Sequence, residues 1–332
     1  MPAVNDSFRE YIDQIGSGYR AAQVLLTANR LGIFGRLGTG WMRLEVLASA
    51  LQADPRALRI LCDALTGLQF LEKGEEGYRT NPEALEFLLP EASQSQAGML
   101  QHIAALYEKW GRLYDAVLTG KPADPTSLDP RLRGDEKIFA QAMASSARTI
   151  AKKTVEALEL AQAGRMLDIG GGPGLYAIEF ARHNPDLQVT ILDNQKTVAV
   201  ARAHIEKAAL TNRVLVIAGD AFHDSLGEKY DFIFLSNVVH QYSPDQNRKL
   251  LQIAAAALAP GGRICIKDFL LNDDRTTPAW SALFAINMLV NTEKGDCYTF
   301  AEVKAWLRET NLSVERVIDL TPQSRMVIGK KN

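Results

Sequence analysis

Cysteine is scarce in this chain of 332 residues, and only Cys62, Cys265 and Cys297 are present. They are odd in number, far apart and not in metal-ligand spacing, which argues against a disulfide framework or a thiolate metal centre. Reduced thiols in a metal-free, cytoplasmic protein are the expectation. No charge of one sign dominates: the formal net charge is −2, so nothing global points to nucleic acid or an anionic membrane as partner. No apolar run reaches the ~18 residues that a membrane span requires. The segment Met1 to Glu10 is polar and acidic and lacks a signal-peptide core. Internal repeats and low-complexity tracts are absent, and so is the G-x-G-x-x-G spacing of dinucleotide folds. What remains is a chain 47% hydrophobic, ample for sizeable cores, whose length suggests two domains.

The stretch Met166-Leu167-Asp168-Ile169-Gly170-Gly171-Gly172-Pro173-Gly174-Leu175 is the most informative. A short apolar run ends in an acid and a glycine cluster, and a helical pattern from Tyr176 to His183 follows. This reads as strand, tight turn and helix start. Glycines there permit φ > 0 and let a ligand approach main-chain N–H groups. Asp193 ends a second apolar run, Val189-Thr190-Ile191-Leu192, about one βαβ unit further on. An acid at that place can grip the two hydroxyls of a ribose. Asp168, the glycine turn and Asp193 together point to a nucleoside cofactor; a pyrophosphate is not the indicated guest.

The chain changes character near residue 155. Before it the pattern is mainly helical. Gln23 to Leu37 reads as an apolar helix that breaks at Gly38-Thr39-Gly40, and Leu44 to Leu51 as a short one. Asp54-Pro55 starts another, with Asp54 as N-cap and Pro55 at the first helical position. Phe70-Leu71-Glu72-Lys73, a Gly-Glu-Glu-Gly turn and Tyr78-Arg79-Thr80 read as a hairpin. Helix, helix, hairpin is a winged-helix pattern. Its second helix offers only Arg56 and Arg59, however, and the wing tip is Glu75-Glu76, which would face phosphate. Ala92 to Leu160 continues as helices, interrupted at Lys121-Pro122-Ala123-Asp124-Pro125. It carries His102, Tyr107, Trp110, Tyr114, Phe139 and Met143, and aromatic or Met residues at this spacing are ordinarily core.

After residue 160, strands and helices alternate. The strands are expected at Arg165 to Ile169, Gln188 to Asp193, Val214 to Ala218, Asp231 to Ser236 and Arg263 to Phe269. Val198 to Ala208 and Asp245 to Leu258 are helices between them, and Pro260-Gly261-Gly262 stops the latter. Such alternation implies an α/β fold with a mainly parallel, doubly wound sheet, with ligands at the carboxyl ends of the strands. At those ends lie Gly170 to Gly174, Asp193, Gly219-Asp220-Ala221-Phe222, Asn237 to His240, and Asp268.

These residues carry a resemblance. From about Gly18 to Lys330 the chain resembles the small-molecule O-methyltransferases that use S-adenosylmethionine and have an N-terminal winged-helix-like dimerisation domain. Caffeic-acid-type, hydroxyindole and bacterial polyketide-tailoring enzymes belong there. Asp168-Ile169-Gly170-Gly171-Gly172-Pro173-Gly174 is similar to the family's first cofactor motif, Asp193 falls where its ribose-binding acid falls, and Gly219-Asp220 with Phe222 matches the segment that brackets the adenine. Leu31-Gly32-Ile33-Phe34 and Gly67-Leu68-Gln69-Phe70-Leu71 are similar to the dimerisation domain. The resemblance implies a class I, Rossmann-like catalytic domain over residues 156–332, a dimerisation domain over 1–110 and connecting helices over 111–155 that line the acceptor pocket. It implies a homodimer that binds S-adenosylmethionine, releases S-adenosylhomocysteine and takes a small aromatic acceptor, with no metal, nucleic acid or membrane partner. Asp168, Gly170, Gly172, Gly174, Asp193, Asp220, Ala221, Phe222, Ser236 and Asn237 are the expected cofactor residues.

His240 stands at the spacing of the family's catalytic histidine. From position alone it is either a base or a loop histidine that caps the turn before Ser243-Pro244. The resemblance implies a base, with Asp268 at the end of the fifth strand to fix its tautomer. A phenol has a pKa near ~10, so a base at the hydroxyl raises the phenolate fraction. Three departures stand out: Gln241-Tyr242 replaces an acidic–aromatic pair, Ser236 lies near a position where many relatives have lysine, and Cys297 takes the place of a second carboxylate. Asp296 is adjacent but would point elsewhere. Phe139, Met143, Trp280, Phe284, Met288 and Cys297 are the expected acceptor residues, with Met99, His102, Trp110 and Asn287 as further candidates. His183 and His204 are expected to be solvated on surface helices, and His223 to be a loop residue. A C- or N-methyltransferase on the same scaffold is the alternative enzyme, and a winged-helix, ligand-sensing DNA-binding regulator the alternative outside enzymes. The regulator would show salt-dependent duplex binding, whereas methyl transfer to a phenol without DNA would mark the enzyme.

Overall fold

In the computed structural model, which describes residues 6–122, 124, 150–158, 160, 163–227 and 229–332, Gly32 sits at φ +73°. This left-handed residue divides the apolar run read as one helix from Gln23 to Leu37 into two. The helices are α2 (Tyr19–Leu31) and α3 (Ile33–Leu37), preceded by α1 (Asp6–Ser17). The expected break falls at Gly38, whose N–H bonds to the Phe34 carbonyl at 2.9 Å. Next come α4 (Leu44–Leu51) and α5 (Pro55–Gly67). Asp54 caps α5 by accepting the Ala57 N–H at 2.8 Å. The hairpin β1 (Leu71–Gly74) and β2 (Gly77–Thr80) follows. Gly77 is required there, because a Cβ would lie 2.1 Å from the Met42 carbonyl oxygen. Ile33, Phe34, Leu47, Leu58, Cys62 and Leu65 form the centre of this unit's core. The short α6 (Leu85–Leu88) and the 14-residue α7 (Ala97–Trp110) follow. By contacts the chain divides into two compact units, Met1–Leu106 and Tyr107–Asn332.

After the last turn of α7, the second unit continues with α8 (Leu113–Thr119) and a helix over residues 150–158, α9. The alternating part then runs β3 (Arg165–Ile169), α10 (Leu175–His183), β4 (Gln188–Asp193), α11 (Gln195–Lys207), β5 (Val214–Ala218), β6 (Tyr230–Ser236), α12 (Pro244–Ala257) and β7 (Leu258–Asp268). It closes with α13 (Ala279–Asn291), α14 (Phe300–Glu309), β8 (Leu312–Thr321) and β9 (Ser324–Lys331). The seven-stranded sheet has the order β5-β4-β3-β6-β7-β9-β8. β3 to β7 pair in parallel, and β9 joins β7 antiparallel.

Register alternation puts Met166, Phe232, Phe234 and Cys265 on one face, packed with α10 and α11 residues such as Phe180 and Val198. Leu167, Ile233, Leu235, Ile264 and Ile266 face the other way, onto Leu250, Leu251, Trp306 and Leu307. Two features differ from the sequence reading. The hairpin β8–β9 was not anticipated. β7 starts at Leu258 rather than Arg263, and Pro260-Gly261-Gly262 lies within a register irregularity between the Tyr230–Leu258 and Phe232–Arg263 pairs. All five parallel strands end at the same edge, which gathers the loops that follow them. Among the described residues no helix is long and apolar enough to cross a membrane.

Candidate active site

The turn after β3 is built from three residues that only glycine tolerates easily: Gly170, Gly172 and Gly174, at φ +71°, +56° and +79°. Space is short as well. A Cβ at Gly170 would meet Val238 Cγ2 at 2.8 Å, and one at Gly171 would meet Asp168 Oδ2 at 2.7 Å. Asp193, at the end of β4, ties this turn down by accepting the Gly172 N–H at Oδ2 (2.8 Å). Its Oδ1 accepts both the backbone and side-chain N–H groups of Asn194 at 2.7 and 2.9 Å. A carboxylate has about four lone-pair sites, and three are taken here, so Oδ2 retains capacity for one further donor. His204 is not a solvated surface residue: its Nδ1 lies 2.8 Å from the Pro173 carbonyl oxygen and braces the turn from α11. His183 is exposed, as expected.

Asp168 is fully buried, and its Oδ2 has no hydrogen-bond partner among the described residues. Burial, and then the charge of Asp193, pushes its pKa up to about 8. Beyond β5, Asp220 folds back on its own turn: it accepts the Phe222 N–H at 2.8 Å and meets His223 Nδ1 at 2.8 Å. Phe222 packs edge-to-face on Tyr242 with ring centroids 5.0 Å apart. Burial and the charges of Asp220 and Asp193 raise the Tyr242 pKa, which puts this ring within the field of both acids. Ala221 is half-buried beside them.

The other half of the edge belongs to β6 and β7. His240 lies in a 3-10 turn, Val239–Gln241, after β6. Its Nδ1 is 2.7 Å from Asp268 Oδ1, and both side chains are buried. Asp268 also accepts the Phe269 N–H at 2.8 Å. Burial alone would raise the Asp268 pKa. The His240 charge and hydrogen bond, the Phe269 N–H and the Lys267 charge outweigh it and hold the carboxyl below its usual range. The His240 loop is clamped: Asn247 Nδ2 donates to the Val239 carbonyl at 2.8 Å, and the Asp296 N–H donates to the His240 carbonyl at 3.0 Å. Gly295 lies so close that a Cβ would be 2.5 Å from the His240 carbonyl oxygen and 2.5 Å from Thr292 Oγ1.

Phe284 meets the His240 ring edge-on at 5.1 Å, and Trp280 stacks on Phe284 at 5.2 Å. Phe269, which sequence reasoning missed, touches Trp280 at 4.5 Å and Phe284 at 4.7 Å. Met288 and Cys297 are buried. Burial, then the charges of Asp268 and Asp296, raises the Cys297 thiol's pKa. Asp296 turns to Arg275 at 2.6 Å, away from the histidine as expected. Asn287 accepts the Trp110 indole N–H at 3.0 Å. Phe139 and Met143 lie outside the described residues. Burial raises the Tyr176 pKa, and the Ser236 and Thr154 side chains oppose that rise. Asn237, at φ +59°, receives the Lys267 ammonium at 3.2 Å. Lys267 was also missed, because a lysine inside an apolar run reads as a strand-edge residue.

The turn fits a nucleoside carrying an α-amino acid. Main-chain groups carry no covering Cβ at Gly170, Gly171, Gly172 and Gly174, and Asp168 Oδ2 has no partner among the described residues. Two expectations follow from the site's physics. An unfolded aspartate titrates near ~3.9, so the folded state keeps a proton on Asp168 that the unfolded chain has released. Its stabilising contribution is complete below pH ~4 and is lost as pH rises through about 8. Without cofactor, Asp168→Asn should therefore melt progressively higher than wild type toward pH 9, by scanning calorimetry. A gap that does not change with pH would contradict it. Gly295→Ala should cost about 1–3 kcal/mol in urea unfolding through overpacking against the His240 loop; an unchanged midpoint would show that the loop yields freely.

Comparison with known proteins identifies the family. Residues 111–310 match the O-methyltransferase domain family and residues 14–89 the O-methyltransferase dimerisation domain family. The chain is 31% identical over 312 residues to 3-hydroxy-5-methyl-1-naphthoate 3-O-methyltransferase of Streptomyces sahachiroi, covering 92% of this chain and 90% of that protein. The structure of PigF with S-adenosylhomocysteine superposes with a TM-score of 0.88 at 25% identity, over 97% of this chain and 99% of that one. Human N-acetylserotonin methyltransferase, in complex with S-adenosylmethionine, shares the fold with a TM-score of 0.86 at 24% identity, over 100% of this chain and 99% of that one. The chain belongs to the S-adenosylmethionine-dependent O-methyltransferases that carry an N-terminal dimerisation domain.

Proposed function

We propose that this enzyme methylates a hydroxyl of a small aromatic metabolite, with His240 as general base and Asp268 as the residue that positions it. The buried 2.7 Å contact between His240 Nδ1 and Asp268 Oδ1 carries the reading. S-adenosylmethionine, when bound, supplies a methyl group already activated on a sulfonium. The protein's own task is then to hold and deprotonate the acceptor. Donation of Nδ1–H to Asp268 leaves Nε2 as the ring's lone pair. That atom takes the hydroxyl proton, and Asp268 stabilises the imidazolium that forms. The ring cluster of Phe269, Trp280 and Phe284 beside His240 suits a flat acceptor. So does the naphthoate named for the Streptomyces sahachiroi relative.

Toward the cofactor we assign Asp193 to the ribose diol, Asp220, Ala221 and Phe222 to the adenine, and Gly170, Gly172 and Gly174 to close main-chain contact. Asp168 offers its unpartnered oxygen to the cofactor's ammonium group, while Ser236 and Asn237 line the far end. Cys297, a neutral buried thiol, is a wall of the acceptor site, so a single carboxylate supports the base. Phe139 and Met143 are assigned to the same wall from sequence.

The working form is a homodimer. On α1, Phe8, Tyr11, Ile12 and Ile15 follow the i, i+3, i+4, i+7 spacing of one helix face, and they are 60%, 55%, 56% and 66% exposed. Together with the dimerisation-domain match this favours a two-fold interface above ~2,000 Å². Light scattering at micromolar concentration should give twice the chain mass; a stable, active monomer would refute it.

The chemistry is tested by single-turnover methylation of phenols of graded pKa. His240→Ala should leave cofactor affinity nearly intact and lower the rate ~10²–10⁴-fold for high-pKa phenols. Acceptors already ionised at the assay pH should lose much less. Asp268→Asn should impair the same substrates, and Cys297→Ser should change little. A His240→Ala loss equal for every acceptor would mean that His240 places the substrate and that the base lies elsewhere.

A further inference from the structure

Lys267 is 2% exposed, at the carboxyl end of β7. An ammonium carries three donors, and among the described residues it has one hydrogen-bond acceptor, Asn237 Oδ1 at 3.2 Å. The ammonium also lies over two ring faces, Tyr176 at 5.6 Å and Phe269 at 5.9 Å to the centroids. Its sequence neighbour Asp268 is committed to the His240 ring and the Phe269 N–H. Lysines are almost never this buried without a full counter-charge, and burial lowers the Lys267 pKa to about 8. Among the described residues the charged form therefore has only one hydrogen-bond acceptor and no carboxylate bonded to it.

The missing partner has a chemistry. Along the sheet edge the order is β5, β4, β3, β6, β7. Acids stand at the first three ends, Asp220, Asp193 and Asp168, and the lysine at the last. Asp168 lies opposite Phe234, and Lys267 lies opposite Ser236, in the registers of β6. Phe234 and Ser236 are two apart on one strand, so Asp168 and Lys267 share one face of the sheet. That face thus presents a buried acceptor without a donor, Asp168 Oδ2, and a buried donor short of acceptors. An α-amino acid answers both, its ammonium the first and its carboxylate the second. S-adenosylmethionine has one α-amino acid end, and its carboxylate is its one anionic group.

We propose that Lys267, held by Asn237, receives the α-carboxylate of the cofactor's methionine moiety; the proposal rests on the cofactor placement given above. It is tested by calorimetric binding of two neutral thioethers, S-adenosylhomocysteine and 5′-methylthioadenosine. The second keeps adenine, ribose and sulfur but lacks the amino acid. Lys267→Met should weaken S-adenosylhomocysteine about 10- to 100-fold, the range of one charge-assisted hydrogen bond in a dry site. It should change 5′-methylthioadenosine less than about 3-fold. The sign is informative, because a lysine facing the ligand's ammonium would bind S-adenosylhomocysteine more tightly once removed. Lys267→Gln, which keeps a polar end, is the second variant should Lys267→Met not fold, and the same selective loss is expected. Equal losses for both ligands, no loss, or a gain would overturn the assignment. Failure of the wild type to bind either nucleoside would instead overturn the cofactor placement, and this proposal with it.

Discussion

A carboxylate at the end of a buried strand must be matched by donors and positive charge, and Asp268 is matched on several sides. His240 Nδ1, the Phe269 N–H and the neighbouring Lys267 charge all favour its ionised form. Because burial removes water from the competition, the match fixes geometry as well as charge. The imidazole can hold its 2.7 Å contact only if the short turn after β6 is held in place. That turn is therefore fastened from three directions: Asn247 on α12, the Asp296 N–H, and the bare backbone of Gly295. Val238, in the same turn, also occupies the space that a Cβ at Gly170 would need. The glycine turn and the histidine turn are consequently packed as one object, so a change in either is felt by the other.

Much of the sheet unit could be read from sequence because parallel strands buried on both faces are short apolar runs with glycine and acid at their ends. Arg165–Ile169, Gln188–Asp193 and Val214–Ala218 stand where the runs put them. The strands that escaped notice carry weaker signals. β8 alternates exposed and half-buried residues at the sheet's edge, and its turn, Pro322-Gln323, has none of the glycine or asparagine that marks a tight hairpin. Antiparallel pairing there follows from the brevity of the connection, since a parallel return needs a crossover. In the first unit, one φ angle at Gly32 decided that a single apolar run became two helices.

At the site, legibility followed charge and glycine and failed for packing. Asp168, Asp193, His240 and Asp268 announce themselves because polar residues at strand ends need a reason. Phe269 and Gly295 do not. An aromatic after a strand acid looks like any core residue, and a glycine in a loop looks like any turn. Only tertiary contact gives them meaning: a ring against Trp280 and Phe284, and a backbone against the His240 carbonyl. His204 was misread for a similar reason. Helical periodicity places it on α11 but cannot tell that the Pro173 carbonyl waits across from it.

The two ends of the strand edge face opposite electrostatic problems. On the β5, β4 and β3 side, acids gather, and Asp168 holds a proton up to a pKa of about 8 because burial excludes water and, second, because Asp193 is charged nearby. On the β6 and β7 side a lysine and a histidine share the surroundings of a single carboxylate. A cationic ligand with one anionic end would lower the cost of both arrangements at once. In the placement proposed above, its diol and ammonium would meet acceptors on the acidic side and its carboxylate would meet Lys267. A neutral nucleoside could satisfy the first side only. The uneven charge along this edge thus gives the site a direction, with acids toward β5 and cations toward β7.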